Sequence, residues 1–189
     1  MSSHHIVREK QEPALLALGL DTFDAELLGQ LLEWSPTVIT TPATAEQINA
    51  YGIKIDLIIS NTVEAEMQSD VKLIAAGVGS TVEAALNYLI DAGYSAVNIV
   101  TDELNLDEFL FYADKINLVI FCRDKKIFPV TSGFSKWKPA GEWVELLSVS
   151  TDVKTEGLTA LGESVYKTTS DGFYTLQFDE PFLFVAEEI

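Results

Sequence analysis

Between Ala14 and Tyr112 short apolar runs alternate with segments of helical period, and no other feature of the chain narrows its fold so far. Ala14-Leu-Leu-Ala-Leu18, closed by Gly19, reads as a buried strand. Leu27, Leu28, Leu31 and Leu32 then share one helical face. Thr37-Val-Ile-Thr40 is a second strand, and Thr44-Ala-Glu-Gln47 has the spacing of a capping box opening a short helix that ends near Gly52. Leu57-Ile-Ile59 is a third strand and Val71 to Ala76 a fourth. Ser80-Thr-Val-Glu83 forms a second capping box, followed by the apolar stripe Val82, Ala85, Leu86, Leu89 and Ile90 and closed by Asp91-Ala-Gly93. Ala96 to Val100 is a fifth strand, and Leu104 to Tyr112 a further helix. This rhythm predicts an α/β lobe over residues 1–114, with a mostly parallel sheet flanked by helices on both faces.

The pattern changes near residue 115. Ile116 to Phe121 and Lys126 to Val130 read as strands of a hairpin around the charged turn Arg123-Asp-Lys-Lys126. Trp143 to Val149, Val165 to Thr168, Phe173 to Phe178 and Phe182 to Val185 follow, with Asp171-Gly172 as a further hairpin signal. Residues 115–189 are therefore expected to form a small all-β, sandwich-like lobe. A lobe of that size needs a partner surface, on the first lobe or on a second subunit. No internal repeat or low-complexity segment is evident.

Charge limits the partners. Twelve Lys and Arg against 29 Asp and Glu leave a formal charge of −17, which disfavours nucleic acid and anionic membranes. The mild basic cluster of Arg123, Lys125, Lys126, Lys136 and Lys138 reads as a solvated turn. The single cysteine, Cys122, cannot form an internal disulfide and lies in an apolar run, as a buried small hydrophobe. With no apolar run of membrane-span length, the expected location is the cytoplasm.

Few residues carry chemistry. Gly77-Val-Gly-Ser-Thr81 precedes a helix but lacks the lysine of a phosphate-cradling loop, so it reads as a loop and cap. Thr101-Asp102-Glu103, with Asp107-Glu108, is the one acidic group expected at the carboxyl end of a strand. Its simplest role is to cap the next helix. His4 and His5 read as a solvated terminus, and Trp34, Trp137 and Trp143 as core or interface residues.

In their order, several phrases resemble the thiamin pyrophosphokinase family. Pro13-Ala-Leu-Leu-Ala-Leu-Gly19 is similar to its first strand, and Tyr51-Gly-Ile-Lys-Ile-Asp-Leu-Ile-Ile59 to the phrase G-I-K-P-D-L-I-I that leads into its G-D-x-D-S motif. Glu83-Ala-Ala-Leu-Asn-Tyr-Leu89 resembles the helix after its T-D motif, and Lys154-Thr-Glu-Gly-Leu158 its T-x-G-L turn. The resemblance implies an α/β lobe joined to a β-sandwich lobe, assembled as a homodimer. It also implies pyrophosphate transfer from ATP to thiamin, with aspartate-held magnesium neutralising phosphate charge.

The departures fall on that chemistry. Ser60-Asn61-Thr62-Val63-Glu64 stands where G-D-x-D-S belongs, Ser80-Thr81 where T-D belongs, and Thr40-Thr41-Pro42-Ala43-Thr44 where the family has A-D-G-G-A. Asn105-Leu106-Asp107-Glu108 is the nearest match to G-G-R-x-D-H. On the thiamin side, Ala160 replaces an aromatic, and Thr168-Thr169-Ser170-Asp171 is the nearest polar run to the family's S-N-E. The expectation is a catalytically silent, homodimeric relative that binds a small ligand or a protein partner and has no assigned cofactor. Its cleft positions are Asp56, Asn61, Thr62, Glu64, Ser80, Thr81, Asp102 and Asp107. The alternative is a working transferase using magnesium and ATP through Glu64, Asp102 and Asp107. A third reading is an unrelated α/β module with a regulatory or structural role.

Overall fold

A computed structural model describes residues 12–61, 71–147 and 152–189. The chain divides into two compact units, residues 1–118 and 119–189.

The first unit contains β1 (Ala14–Ala17), α1 (Ala25–Leu32), β2 (Val38–Thr40), α2 (Pro42–Ala50), β3 (Leu57–Ile59), β4 (Lys72–Ile74), α3 (Thr81–Asp91), β5 (Ala96–Thr101) and α4 (Asp107–Leu110). The five strands pair in parallel in the order β5-β1-β2-β3-β4. All four residues of β1 are buried, as its central position between β2 and β5 requires. Ile39, Ile59, Leu86, Leu89 and Ile99 are fully excluded from solvent, and each such side chain contributes about 1.5–3 kcal/mol.

Local chemistry explains the helix starts. Asp24 caps α1, accepting from the amides of Glu26 and Leu27. Ser80 caps α3 as expected, accepting from the Glu83 amide at 3.1 Å. The Thr44 capping box does not form. Thr41 precedes α2 and Pro42 takes its first turn, where a missing N–H costs nothing. Thr44 lies inside that turn, buried, and donates instead to the Leu18 carbonyl. The helix expected from Leu104 to Tyr112 contracts to the four residues of α4.

The second unit is antiparallel. β6 (Asn117–Cys122) crosses the boundary between the units and pairs with β7 (Lys125–Val130) through the expected hairpin; Arg123 takes the positive φ (58°) that a tight hairpin turn needs. β8 (Phe134–Lys138), β9 (Trp143–Leu146), β10 (Lys154–Glu156), β11 (Leu158–Ala160), β12 (Val165–Thr168), β13 (Gly172–Gln177) and β14 (Leu183–Glu188) complete it. They run β11-β12-β9-β14-β7-β6 in one layer and β10-β13-β8 in another. A core of Val130, Val144, Leu146, Tyr174, Leu176, Phe178, Leu183 and Val185 fills this unit.

Among the described residues the chain is rich in sheet and poor in helix, and its strand pairing is mixed, with the parallel pairs in the first unit. Asp171-Gly172 is not a hairpin turn, because β12 and β13 pair with different neighbours. The chain changes layer there, and the Asp171 carboxylate ties that bend to the Ala140 amide. Gly157 serves another change of layer, between β10 and β11. Its φ is +71°, and a Cβ would sit 2.7 Å from the Phe173 carbonyl oxygen. Cys122 is buried, as expected. The tryptophans are not core residues: Trp34, Trp137 and Trp143 are 68%, 53% and 42% exposed.

Candidate functional site

Because β1 to β5 are parallel, their carboxyl ends lie along one edge of the sheet. The chain moves outward from β1 through β2 and β3 to β4, then returns to β5 on the other flank of β1. The loops after β1 and β5 therefore leave in opposite directions. Open α/β sheets bind ligands in the crevice made by such a reversal.

In this chain that crevice is bridged. Asp102, one residue past β5, accepts from the Asp21 amide at 3.2 Å, the Thr22 amide at 3.0 Å and the Thr22 hydroxyl at 3.0 Å. All three donors belong to the loop after β1. Gly19 makes the approach feasible, since a Cβ there would collide with the Asp102 carboxylate and stand 3.0 Å from its backbone nitrogen. Asp102 thus ties two loops together and does not cap the next helix. Leu106 occupies the cap of α4, with no side-chain hydrogen bond. Asp21 turns its own carboxylate to the Gln47 amide, 2.5 Å away.

The other strand tips are also engaged with backbone. Thr40, fully buried at the end of β2, donates to the Ala17 carbonyl at 2.9 Å, and Thr44 to that of Leu18 at 3.0 Å. Asn61, just past β3, exchanges two bonds with Gly77: its amide nitrogen donates to the carbonyl at 3.0 Å, and its oxygen accepts from the N–H at 2.8 Å. Ser80 is held by its capping bond, and Thr81 opens α3 beside it.

One of the expected cleft positions lies elsewhere. Asp56 precedes β3 and so sits at the amino ends of the strands, where it accepts from the Val38 amide and faces Lys54 at 3.6 Å. Asp107 is exposed in the first turn of α4. Thr62 and Glu64, like His4 and His5, lie outside the described residues. Among the described residues no three Asp, Glu, His or Cys side chains gather closely enough to hold a metal ion. Asp102 and Asp107 are therefore part of no such group among the described residues, which do not fit a magnesium site.

Gly19 and Thr22 escape sequence reading because their partner lies about eighty positions away. The one available signal is a glycine directly after a buried strand, which often marks close backbone approach.

A second polar cluster lies inside the second unit. Glu187, only 4% exposed, is held by the Lys136 ammonium at 2.5 Å, by Lys138 at 3.6 Å and by the Tyr174 hydroxyl at 2.9 Å. Burial, then the charge and hydrogen bond of Glu187, push the Tyr174 phenol far above its ordinary range. Burial, with Lys136 and Lys138 nearby, pulls the Lys126 ammonium down. Every member has a partner in the fold, so the cluster reads as structural.

No protein-family model matches the sequence, and no curated protein matches it. Solved structures do. Thiamin pyrophosphokinase from Geobacillus thermodenitrificans aligns with a TM-score of 0.68 at 13% identity, over 93% of this chain and 97% of that one. A probable thiamine pyrophosphokinase from Staphylococcus saprophyticus gives 0.67 at 13%, over 93% and 98%. Thiamin pyrophosphokinase from Candida albicans gives 0.66 at 10%, over 94% and 90%. The chain has the thiamin pyrophosphokinase fold. On that fold the phrase ending in β3 meets Asn61, an uncharged side chain bonded to its neighbour loop, where the resemblance leads one to seek the first motif aspartate. Among the described residues no helix is long and apolar enough to cross a membrane.

Proposed function

We propose that this chain is a catalytically silent protein on the thiamin pyrophosphokinase fold, a cytoplasmic homodimer that binds a small ligand without transferring pyrophosphate. The observation that carries the reading is the self-engagement of the strand tips. Asn61 is bonded to Gly77, and Asp102 to the loop after β1, where a transferase needs groups free to handle a metal and phosphates. Phosphoryl-transfer sites work by preorganised charge, and removing such groups typically lowers rates by orders of magnitude. A side chain already engaged by its own backbone is less available to a metal or a phosphate.

The dimer reading is supported by the outer face of the β10-β13-β8 layer. Trp137 and Phe173 are cross-strand partners there, and both are largely exposed. Paired aromatics of this size on one surface favour a covering partner, and a second copy is the proposed one.

The deciding assay incubates the protein with ATP, magnesium and thiamin and follows thiamin diphosphate by chromatography. No product above background is expected. Turnover at an enzyme-like rate overturns the reading in favour of the rearranged magnesium site built on Glu64, Asp102 and Asp107. Light scattering is expected to give the mass of a dimer.

A further inference from the structure

We propose that Lys126 is a carbon dioxide acceptor: its side-chain amine takes up CO2 as a carbamate, which the ammonium groups of Lys136 and Lys138 hold. The site lies wholly within the second unit and does not depend on whether the chain transfers pyrophosphate.

Lys126 stands directly opposite Glu187 in the pairing of β7 with β14. Both side chains therefore leave the same face of the sheet, the face on which Lys136, Lys138 and Tyr174 meet Glu187. Three ammonium groups thus share one buried carboxylate. The other carboxylate in reach, Glu142, is 40% exposed and lies 3.6 Å from Lys138. Glu187 is satisfied by Lys136, Lys138 and Tyr174, and that cluster is complete without Lys126, which borders it. Among the described residues the Lys126 ammonium forms neither an ion pair nor a hydrogen bond, and the Phe121 ring is centred 5.9 Å from it. In a chain of formal charge −17, a surplus cation held half-buried beside two others calls for a chemical reason.

Burial and the Lys136 charge, with that of Lys138, outweigh the pull of Glu187 and lower the Lys126 pKa. More of the residue is then the free amine, the form that attacks an electrophile. The same neighbours choose among electrophiles. An aldehyde leaves a cationic imine and an acyl donor a neutral amide, whereas CO2 leaves an anion. The anion turns two repulsions, with Lys136 and Lys138, into attractions. Lys126, Lys136, Lys138 and Glu187 then pass from three positive groups and one negative to two of each. The step is balanced without an oxidant. The amine lone pair forms an N–C bond to the CO2 carbon, one C–O π pair moves onto oxygen, and the proton on nitrogen passes to water. Each ammonium has three donors. Lys136 gives one to Glu187, and Lys138 stands 3.6 Å from its two carboxylates, so donors remain for the carbamate oxygens.

The test incubates the full chain with isotopically labelled bicarbonate at one mildly alkaline pH, traps carbamates with triethyloxonium ion and locates the ethoxycarbonyl group by peptide mass spectrometry. Lys126 is expected to be trapped at least roughly tenfold more than the exposed Lys54, a difference of about 1.4 kcal/mol. A Lys126 labelled no more than Lys54 overturns the proposal. Lys126→Arg keeps the charge but cannot react, and is expected to lose the carbamate signal from the carbon NMR spectrum; a signal that survives places the carbamate on another amine. Lys138→Gln, if folded, is expected to lower the trapped fraction, and an unchanged fraction would mean that its ammonium does not hold the anion. A measurement on the wild type alone guards against a folding failure of that variant. Acetic anhydride reports on nucleophilicity without regard to product charge, so acetylation of Lys126 without carbamate formation also overturns the proposal.

Discussion

Asn61 and Gly77 exchange one donor and one acceptor in each direction, a pattern that only an amide side chain completes. Asn61→Asp keeps the acceptor but sets a carboxylate oxygen against the Gly77 carbonyl. The loss is expected to be about 1 kcal/mol, read as a melting temperature lower by roughly 2–4 °C. An unchanged melting temperature would mean that the exposed pair does not hold the loop. Gly19→Ala addresses the neighbouring tie. Its methyl group must displace the Asp102 side chain, at an expected cost of about 1–3 kcal/mol, with faster hydrogen exchange at Asp21 and Thr22. At this scale the sequence is legible where partners are close along the chain. The Ser80 cap needs only a residue three positions on, and it forms. Asp102 looks like a cap by the same local logic, yet its donors come from about eighty residues earlier, where three-dimensional proximity has no local trace.

Elements were legible in proportion to their apolar content. β1, β2, β3 and β5 coincide with apolar runs, and the β6–β7 hairpin follows its charged turn. β8 and β10 leave little apolar trace in the sequence, because Phe134-Ser-Lys-Trp-Lys138 and Lys154-Thr-Glu156 carry charge on buried or edge positions, and β11 is only three residues long. β14 shows the reason most clearly. Its apolar signal stops at Ala186, but the strand runs to Glu188 since Glu187 points inward to Lys136, Lys138 and Tyr174. A buried carboxylate persists only when it is paired and hydrogen-bonded, so its removal exposes the arrangement. Glu187→Gln leaves two ammonium groups without their shared counter-charge and is expected to destabilise the chain by about 3 kcal/mol. Urea unfolding measures that directly. Tyr174→Phe removes one bond to a charged acceptor and is expected to cost less, about 1.5–3 kcal/mol. If Glu187→Gln proved neutral, the cluster would be incidental to the layer packing.

For the whole molecule, the pH profile of stability tests whether that buried cluster governs the global transition. Tyr174 has its phenol pushed up by burial and by Glu187, so the folded chain keeps that proton where the unfolded chain releases it, near pH 10. Above that pH the unfolded state binds fewer protons than the native state. Unfolding free energy then falls, by up to about 1.4 kcal/mol per pH unit for this one group. Lys126 acts in the opposite sense. Its ammonium is pulled down in the fold, so between its lowered value and the ordinary lysine value near 10.4 the unfolded state holds the extra proton and stability rises with pH. The two effects cross near pH 10, and beyond it the tyrosine effect stands alone on this cluster. Tyr112 is also raised, chiefly by burial, and adds a smaller decline of the same sign. Urea unfolding of the wild type from pH 8 to 11 is therefore expected to show a flat or rising limb followed by a fall. Tyr174→Phe is expected to start lower at pH 8 and to lose most of the fall, while Tyr112→Phe keeps it. A Tyr174→Phe profile parallel to the wild type up to pH 11 would show that Tyr174 ionises in the native state like any exposed phenol, and the closed interior assigned to the second unit would have to be withdrawn.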